Sequence, residues 1–304
     1  MKKKIALVGV PTDVGAGHRG SSMGPEALRV AGISDRLLAM GFEVLDRGNL
    51  HGPVNPVRAP ERGYRNFDEV VEWNRLTCDA IYDELKQGNL PIMLGGDHCL
   101  ATGSISAVSR YVRESCKKLR VIWLDAHTDF NTSESTPSGN MHGMPVACLF
   151  GHGPKEMVEL SGIVPALTSD QIYQIGIRSV DSIEKVLVHE AGHQVFDMRK
   201  LDEIGMREAM EFALDGLTDE YHLHVSFDVD FLDPEIAPGV GTTVRGGPDY
   251  REAQLCMEMI ADTGLISSLD IVELNPALDV QNLTANIACE LVESLFGKNT
   301  LVRQ

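Results

Sequence analysis

Eight short runs of aliphatic and β-branched residues, separated by stretches of helical length, constrain this chain more than any other feature. The runs fall at residues 4–10, 43–46, 90–94, 120–125, 172–176, 194–197, 222–228 and 266–272, each of strand length and with little polar interruption. Between them, residues 67–87, 201–214, 249–263 and 284–296 are amphipathic and are flanked by Gly, Pro or capping residues. Strands that are apolar on both faces and alternate with helices predict an α/β fold, a predominantly parallel sheet covered by helices. Periodicity alone leaves both an open doubly wound sheet and a closed barrel standing.

No low-complexity linker, long charge block or internal repeat divides the chain, so residues 1–304 are expected to form one domain. The formal net charge is −17, from 44 acidic and 27 basic residues, which argues against nucleic acid or anionic lipid as a partner. The compact basic run at residues 2–4 precedes a short apolar run that Gly9 and Pro11 interrupt; it reads as a first strand rather than a signal peptide. No stretch approaches the roughly 20 apolar residues of a membrane span. Cys78, Cys99, Cys116, Cys148, Cys256 and Cys289 form no CxxC pair, so a soluble protein of the reducing cytoplasm is expected.

Chemistry concentrates just after three of the strands, at the carboxyl edge where parallel sheets bind ligands. In the first segment an apolar run leads into Asp125, His127 and Asp129; in an extended chain, spacing by two points all three the same way. A lone Asp there reads more simply as a helix cap, but three ligand-type residues in phase favour a metal. The second segment ends in Asp228 and Asp230, two neighbouring carboxylates that repel each other unless a cation lies between them. Asp233, followed by Pro234, reads as a turn residue. In the third, Gly95 and Gly96 let the backbone turn tightly and present His98, with Asp97 as a ligand, a helix cap or a supporting partner.

Four carboxylates and two imidazoles are too rich in oxygen for a structural zinc site. Two hard or borderline divalent ions use the set better, and Mn²⁺ suits mixed carboxylate and imidazole ligands.

These segments, GGDH at 95–98, DAHTDFN at 125–131 and SFDVDFLDP at 226–234, resemble the arginase and agmatinase family of ureohydrolases, which also includes formimidoylglutamase. The similarity runs from GVPTDVGAGHRGSSMGPEALR near the start to SSLDIVELNPALD near the end, and SGNMHG at 138–143 looks like the arginase branch. The resemblance implies a single arginase-like domain, an eight-stranded, predominantly parallel sheet with helices on both faces in three layers. It implies hydrolysis of L-arginine to L-ornithine and urea by a hydroxide bridging two Mn²⁺ ions, other divalent ions being possible. An agmatinase or a guanidinobutyrase is the alternative. Assembly as a homo-oligomer, a trimer or hexamer, follows from the same resemblance.

The family pattern places one ion on His98, Asp125, Asp129 and Asp228 and the other on His127, Asp125, Asp228 and Asp230. It implies that Glu273 holds the guanidinium, that His142 shuttles protons, and that Asp129 passes a proton to the leaving amine. Asn131, Ser138 and Asn140, with Thr136 nearby, would read the substrate carboxylate; Asp181 would read the α-amino group and Thr242 would border the guanidinium pocket. The sequence departs from many arginases at Ser179, where those carry an Asp, so recognition of the amino group is expected to be weaker or water-mediated.

Overall fold

A computed structural model describes residues 4–301 of the chain, so Lys2 and Lys3 of the basic run lie outside the described residues. Eight strands form one all-parallel sheet: β1 Lys4–Gly9, β2 Glu43–Asn49, β3 Leu90–Leu94, β4 Lys118–Leu124, β5 Ile172–Ile177, β6 Gln194–Asp197, β7 Tyr221–Asp228 and β8 Ile266–Val272. They lie in the order β2-β1-β3-β8-β7-β4-β5-β6. The sheet is therefore open, with β2 and β6 as its edges, and the barrel is ruled out.

The connecting helices are α1 Gly24–Val30, α2 Ile33–Ala39, α3 Phe67–Lys86, α4 Ala101–Glu114, α5 Pro145–Leu149, α6 Lys155–Val158, α7 Ser182–Ala191, α8 Met198–Leu214, α9 Tyr250–Asp262 and α10 Leu283–Leu295. Alternation along the strands divides the core in two. Ile122 and Leu124 of β4, with Val225 and Phe227 of β7, face a layer built from α1, α2, α8, α9 and α10. Val121 and Trp123 of β4 face the other layer, contributed chiefly by α3, α4, α5 and α6. The inner strands thus bury apolar side chains on both sides, which is why their runs read as nearly continuous, while the edge strands β2 and β6 stay largely exposed or half-buried.

The second face is less apolar than the strand runs suggest. His224 Nδ1 lies 2.8 Å from Ser268 Oγ, and the Ser104 hydroxyl donates to Asp270 at 2.6 Å. This polar strip lies under α4, whose buried face consists mostly of Ala, Ser, Gly and Val; small side chains let that helix sit close to the sheet.

Strand order positions the chemistry. β8 and β7 are inserted between β3 and β4, so the chain changes direction of winding there, and the carboxyl ends of β3, β8, β7 and β4 stand side by side. A crevice at such a switch point is where an open parallel sheet binds its ligand.

Candidate metal site and substrate cavity

The three polar segments and the end of β8 meet at this crevice. After β3, the two glycines pack against backbone on both sides: a Cβ on Gly96 would lie 1.7 Å from the Thr12 carbonyl oxygen, and one on Gly95 2.9 Å from that of Ile271. Gly96 accepts a hydrogen bond from Glu273 N at 2.8 Å, and Asp97 N donates to Thr12 O at 3.0 Å. The tight turn drops His98 into a buried position at the head of a short 3-10 turn, His98–Leu100. Asp97 caps that turn through Cys99 N and accepts from Gly15 N at 2.8 Å, so its carboxylate is consumed by two amides and stands in neither ligand group. Asp233 likewise accepts from the amides of Glu235, Gly246 and Gly247 and shapes a turn, as its sequence context suggested.

Asp125, His127 and Asp129 do converge, but not through the extended alternation expected of them. β4 ends at Leu124. Asp125 Oδ1 then accepts from His127 N at 2.6 Å, and Asp129 adopts a φ of 49°, a left-handed conformation that a non-glycine residue takes at some cost. The second segment repeats the device: Asp228 Oδ1 accepts from Asp230 N at 2.7 Å, and a 3-10 turn over Val229–Phe231 swings Asp230 inward. Aspartate favours such a turn because its carboxylate bonds the backbone two residues on. Same-face spacing was thus the right signal with the wrong geometry behind it.

Two groups of ligating atoms result, His98 with Asp125 and Asp228, and Asp125 with His127 and Asp230. Asp125 is common to both. His98 Nδ1 lies 3.1 Å from Asp125 Oδ2, 3.2 Å from Asp129 Oδ2 and 3.1 Å from Asp228 Oδ2, which brings Asp129 to the first group as well. His127 Nδ1 lies 3.1 Å from Asp230 Oδ2 and 3.5 Å from Asp125 Oδ1.

The first imidazole supplies the test of fit. His98 Nε2 is engaged by Ser226 Oγ at 2.9 Å, and its ring stacks on Trp123 with centroids 4.1 Å apart. When Nε2 donates to the serine, Nδ1 presents a lone pair to three carboxylate oxygens, and this buried nitrogen has no hydrogen-bond partner. A lone pair facing three anions is repulsive unless a cation stands among them. Burial and the crowding of negative charge also raise two of the carboxylates. Burial and the charges of Asp230 and Asp125 push Asp228 far above the usual carboxylate range, and burial with the charge of Asp125 pushes Asp129 up to about 7. Burial would also raise Asp125, but hydrogen bonding from His127 and His98 holds it below its ordinary value. The donors are hard oxygens and imidazole nitrogens clustered around a shared carboxylate, and they fit a pair of divalent cations.

Above the ligands opens a cavity of about 260 Å³. The predicted residues Asn131, Thr136, Ser138, Asn140, His142, Asp181, Thr242 and Glu273 all line it, together with His98, His127, Asp129 and Asp228. Asp125 and Asp230 lie beneath, fully buried. Glu273 follows β8 with a φ of 63°, and its Oε1 accepts from His98 N at 2.8 Å and meets His142 Nδ1 at 2.9 Å. Burial disfavours a charged His142, but the charge and hydrogen bond of Glu273, with Asp97 and Asp129 nearby, raise it to about 9. Asn131 Nδ2 donates to Asp181 Oδ2 at 3.0 Å, so those two form one unit at the rim. The Thr242 hydroxyl donates to Asp230 Oδ2 at 3.0 Å, which makes it a support for the metal carboxylate.

Sequence reasoning passed over three contributors. Ser226 and Trp123 hold His98, and Trp123 Nε1 also donates to Asp125 Oδ2 at 2.9 Å; both read as ordinary strand residues. Glu184 is buried, accepts from Thr128 Oγ1 at 2.6 Å and from Phe130 N at 2.8 Å, and takes Asp181 N at 3.0 Å. Its signal was available: Asp181 and Glu184 form a capping box at the start of α7.

Comparison with known proteins finds one family across nearly the whole chain. The family model described as "Arginase family" matches residues 3–297. An arginase of Brevibacillus brevis is 41% identical over 302 residues, covering 99% of this chain and 100% of the relative. An arginase of Brucella melitensis is 43% identical over 303 residues, covering 98% and 97%. The solved structure of arginase from Bacillus caldovelox superposes with a TM-score of 0.92 at 39% identity, covering 99% of this chain and 100% of that one.

Proposed function

The chain belongs to the arginase family, and from that premise we propose that it hydrolyses L-arginine to L-ornithine and urea at a dinuclear site whose native ions are manganese. The observation that carries the reading is the His98 imidazole, its Nδ1 within 3.2 Å of oxygens of Asp125, Asp129 and Asp228 beneath a cavity that contains Glu273.

His98, Asp125, Asp129 and Asp228 would hold one ion; His127, Asp125, Asp228 and Asp230 would hold the other. A divalent pair supplies a nucleophilic oxygen at neutral pH, because coordination lowers the pKa of water from about 15.7 toward roughly 7. That supply matters because guanidinium stays cationic at neutral pH and its carbon is a poor electrophile. Glu273 binds the guanidinium: Oε1 is fixed by His98 N and His142, which leaves Oε2 to receive the cation. Its buried, charged carboxylate orients the reacting carbon over the ligand cluster. As the C–N bond breaks, Asp129 takes up the proton released on the nucleophile's side and hands it to the departing amine. His142, half-buried at the cavity wall, exchanges protons with solvent.

Thr136, Ser138, Asn131 and Asn140 read the α-carboxylate, and Asp181, held by Asn131, reads the α-amino group. That polar rim supports an amino acid substrate over agmatine, which carries no carboxylate, and the relatives named above are arginases. One domain spanning residues 1–304, a cytoplasmic location and assembly as a trimer or hexamer complete the proposal. Exposed Leu278, Val280 and Leu283 on one segment support such an assembly.

Urea release from L-arginine and from agmatine, measured in parallel on Mn²⁺-loaded protein, tests the reading. Efficient turnover of arginine is expected. Agmatine hydrolysed at least as well as arginine would overturn it.

A further inference from the structure

The loop that precedes α3 reaches over to the rim of the cavity. Arg65 N donates to Gly139 O at 2.8 Å, and its side-chain Nε donates to Asn140 Oδ1 at 2.7 Å. Its Nη1 is anchored on Arg58 O at 3.0 Å, so the guanidinium is held from both ends. The two loops touch closely: a Cβ on Gly63 would lie 2.3 Å from the Ser133 carbonyl oxygen.

An arginine nitrogen only donates, so the Asn140 atom it meets must be the carbonyl oxygen. That contact decides which way the amide faces. Nδ2, with its two N–H groups, is turned to the opposite side, toward Gly17, where an added Cβ would lie only 2.6 Å from it. Glycine there leaves room for that nitrogen, and Asn140 itself lines the cavity. Asn140 N in turn donates to Ser138 Oγ at 3.2 Å; the serine oxygen accepts there, and its O–H can donate either to Thr136 Oγ1, 3.5 Å away, or to a bound substrate. The amide is thereby set as a donor beside a hydroxyl that can donate, with a fixed positive charge behind it, which is the chemistry that receives a carboxylate.

We propose that Arg65 is a positioning residue that sets the preference for a carboxylate-bearing substrate by locking the Asn140 amide in its donor-outward orientation. Arg65 touches no substrate itself and acts through Asn140. The proposal rests on reading the cavity as an arginine site.

The test compares wild type with Arg65→Met, Asn140→Ala and the double variant, all Mn²⁺-loaded, measuring kcat and KM for L-arginine and the inhibition constant of agmatine against it. Arg65→Met is expected to raise KM for arginine roughly tenfold with kcat and the agmatine constant within about twofold, as loss of one charge-assisted contact implies. The double variant should be no worse than Asn140→Ala, because the second change removes the group through which the first acts. Arg65→Lys, which keeps the charge and one donor, should recover part of the loss, and the same cycle run with Lys serves if Arg65→Met does not fold. Equal weakening of arginine and agmatine, a fall in kcat at constant KM, or additive losses in the double variant would overturn the proposal. If wild type hydrolyses arginine and the variants fail to discriminate, Arg65 alone loses its role; if wild type releases no urea, the reading of the site falls and Arg65's role with it.

Discussion

Glu273 and His142 share a 2.9 Å contact between Oε1 and Nδ1, and the same oxygen is held by His98 N at 2.8 Å. The residue assigned to the substrate cation is therefore already paired with the residue assigned to proton exchange. A bound guanidinium and a protonated His142 compete for one carboxylate, so substrate binding would lower the cost of releasing the imidazole's proton.

Removing that carboxylate charge should be visible at the histidine directly. In Glu273→Gln, His142 loses its largest favourable partner while burial still opposes its charge, so its pKa should fall from about 9 by roughly a unit or more. Histidine titration by NMR reads this, and kcat/KM for arginine should drop by about 100-fold or more. An unchanged titration would show that the contact does not govern His142.

Ser226 offers a test of the His98 tautomer. Its Oγ lies 2.9 Å from Nε2, and when Nε2 donates to it the Nδ1 lone pair faces the carboxylates. Ser226→Ala should keep the fold and weaken binding of the ion on the His98 side by about 10- to 100-fold, as loss of such outer partners does elsewhere. Isothermal titration with Mn²⁺ measures it; an unchanged affinity would mean that the tautomer is set by something else.

His193 predicts an acid-sensitive element packed behind the loop that carries His127 and Asp129. Gln174 Nε2 donates to Thr128 O, which leaves Gln174 Oε1 to accept from His193 Nε2 at 2.8 Å. His193 Nδ1 is buried without a partner, and burial depresses the group to about 4. The folded state thus resists a proton that the unfolded chain accepts near its ordinary value of about 6.5. Stability from this source is complete above that value and is lost as pH falls toward 4, a change on the order of 3 kcal/mol. His193→Gln should flatten the pH dependence of unfolding across that window. Denaturant titrations at several pH values compare the two proteins, and parallel curves would count against the assignment.

Much of this was legible in the residues. The runs at 90–94 and 266–272 are strands β3 and β8 to the residue, because apolar segments that short have few other ways to bury both faces, and 194–197 is the edge strand β6. Predicted helices 67–87 and 249–263 become α3 and α9 with ends shifted by a residue or so. Helix α4 was harder to see, since its buried face is made of small residues instead of large apolar ones. Periodicity also left sheet closure open; that depends on long-range strand order, which local pattern does not carry. In the site, the residue types marked the side chains that converge, but the left-handed turns at Asp129 and Glu273 left no mark in the sequence. Such strain persists only because neighbouring contacts hold it, here Glu273 N on Gly96 O and Val146 N on Asp129 O. Arg65 was invisible for a related reason: it meets Asn140 across 75 positions of chain.

Asp125 is common to both groups of candidate ligands, and a dinuclear site depends on that sharing. Elemental analysis of protein dialysed against Mn²⁺ and freed of loose ions measures this most directly. Wild type should retain about two ions per chain and Asp125→Asn fewer than one, because a bridging carboxylate serves both positions. A wild-type chain that retains one ion or none, or an Asp125→Asn chain that still holds two, would contradict it.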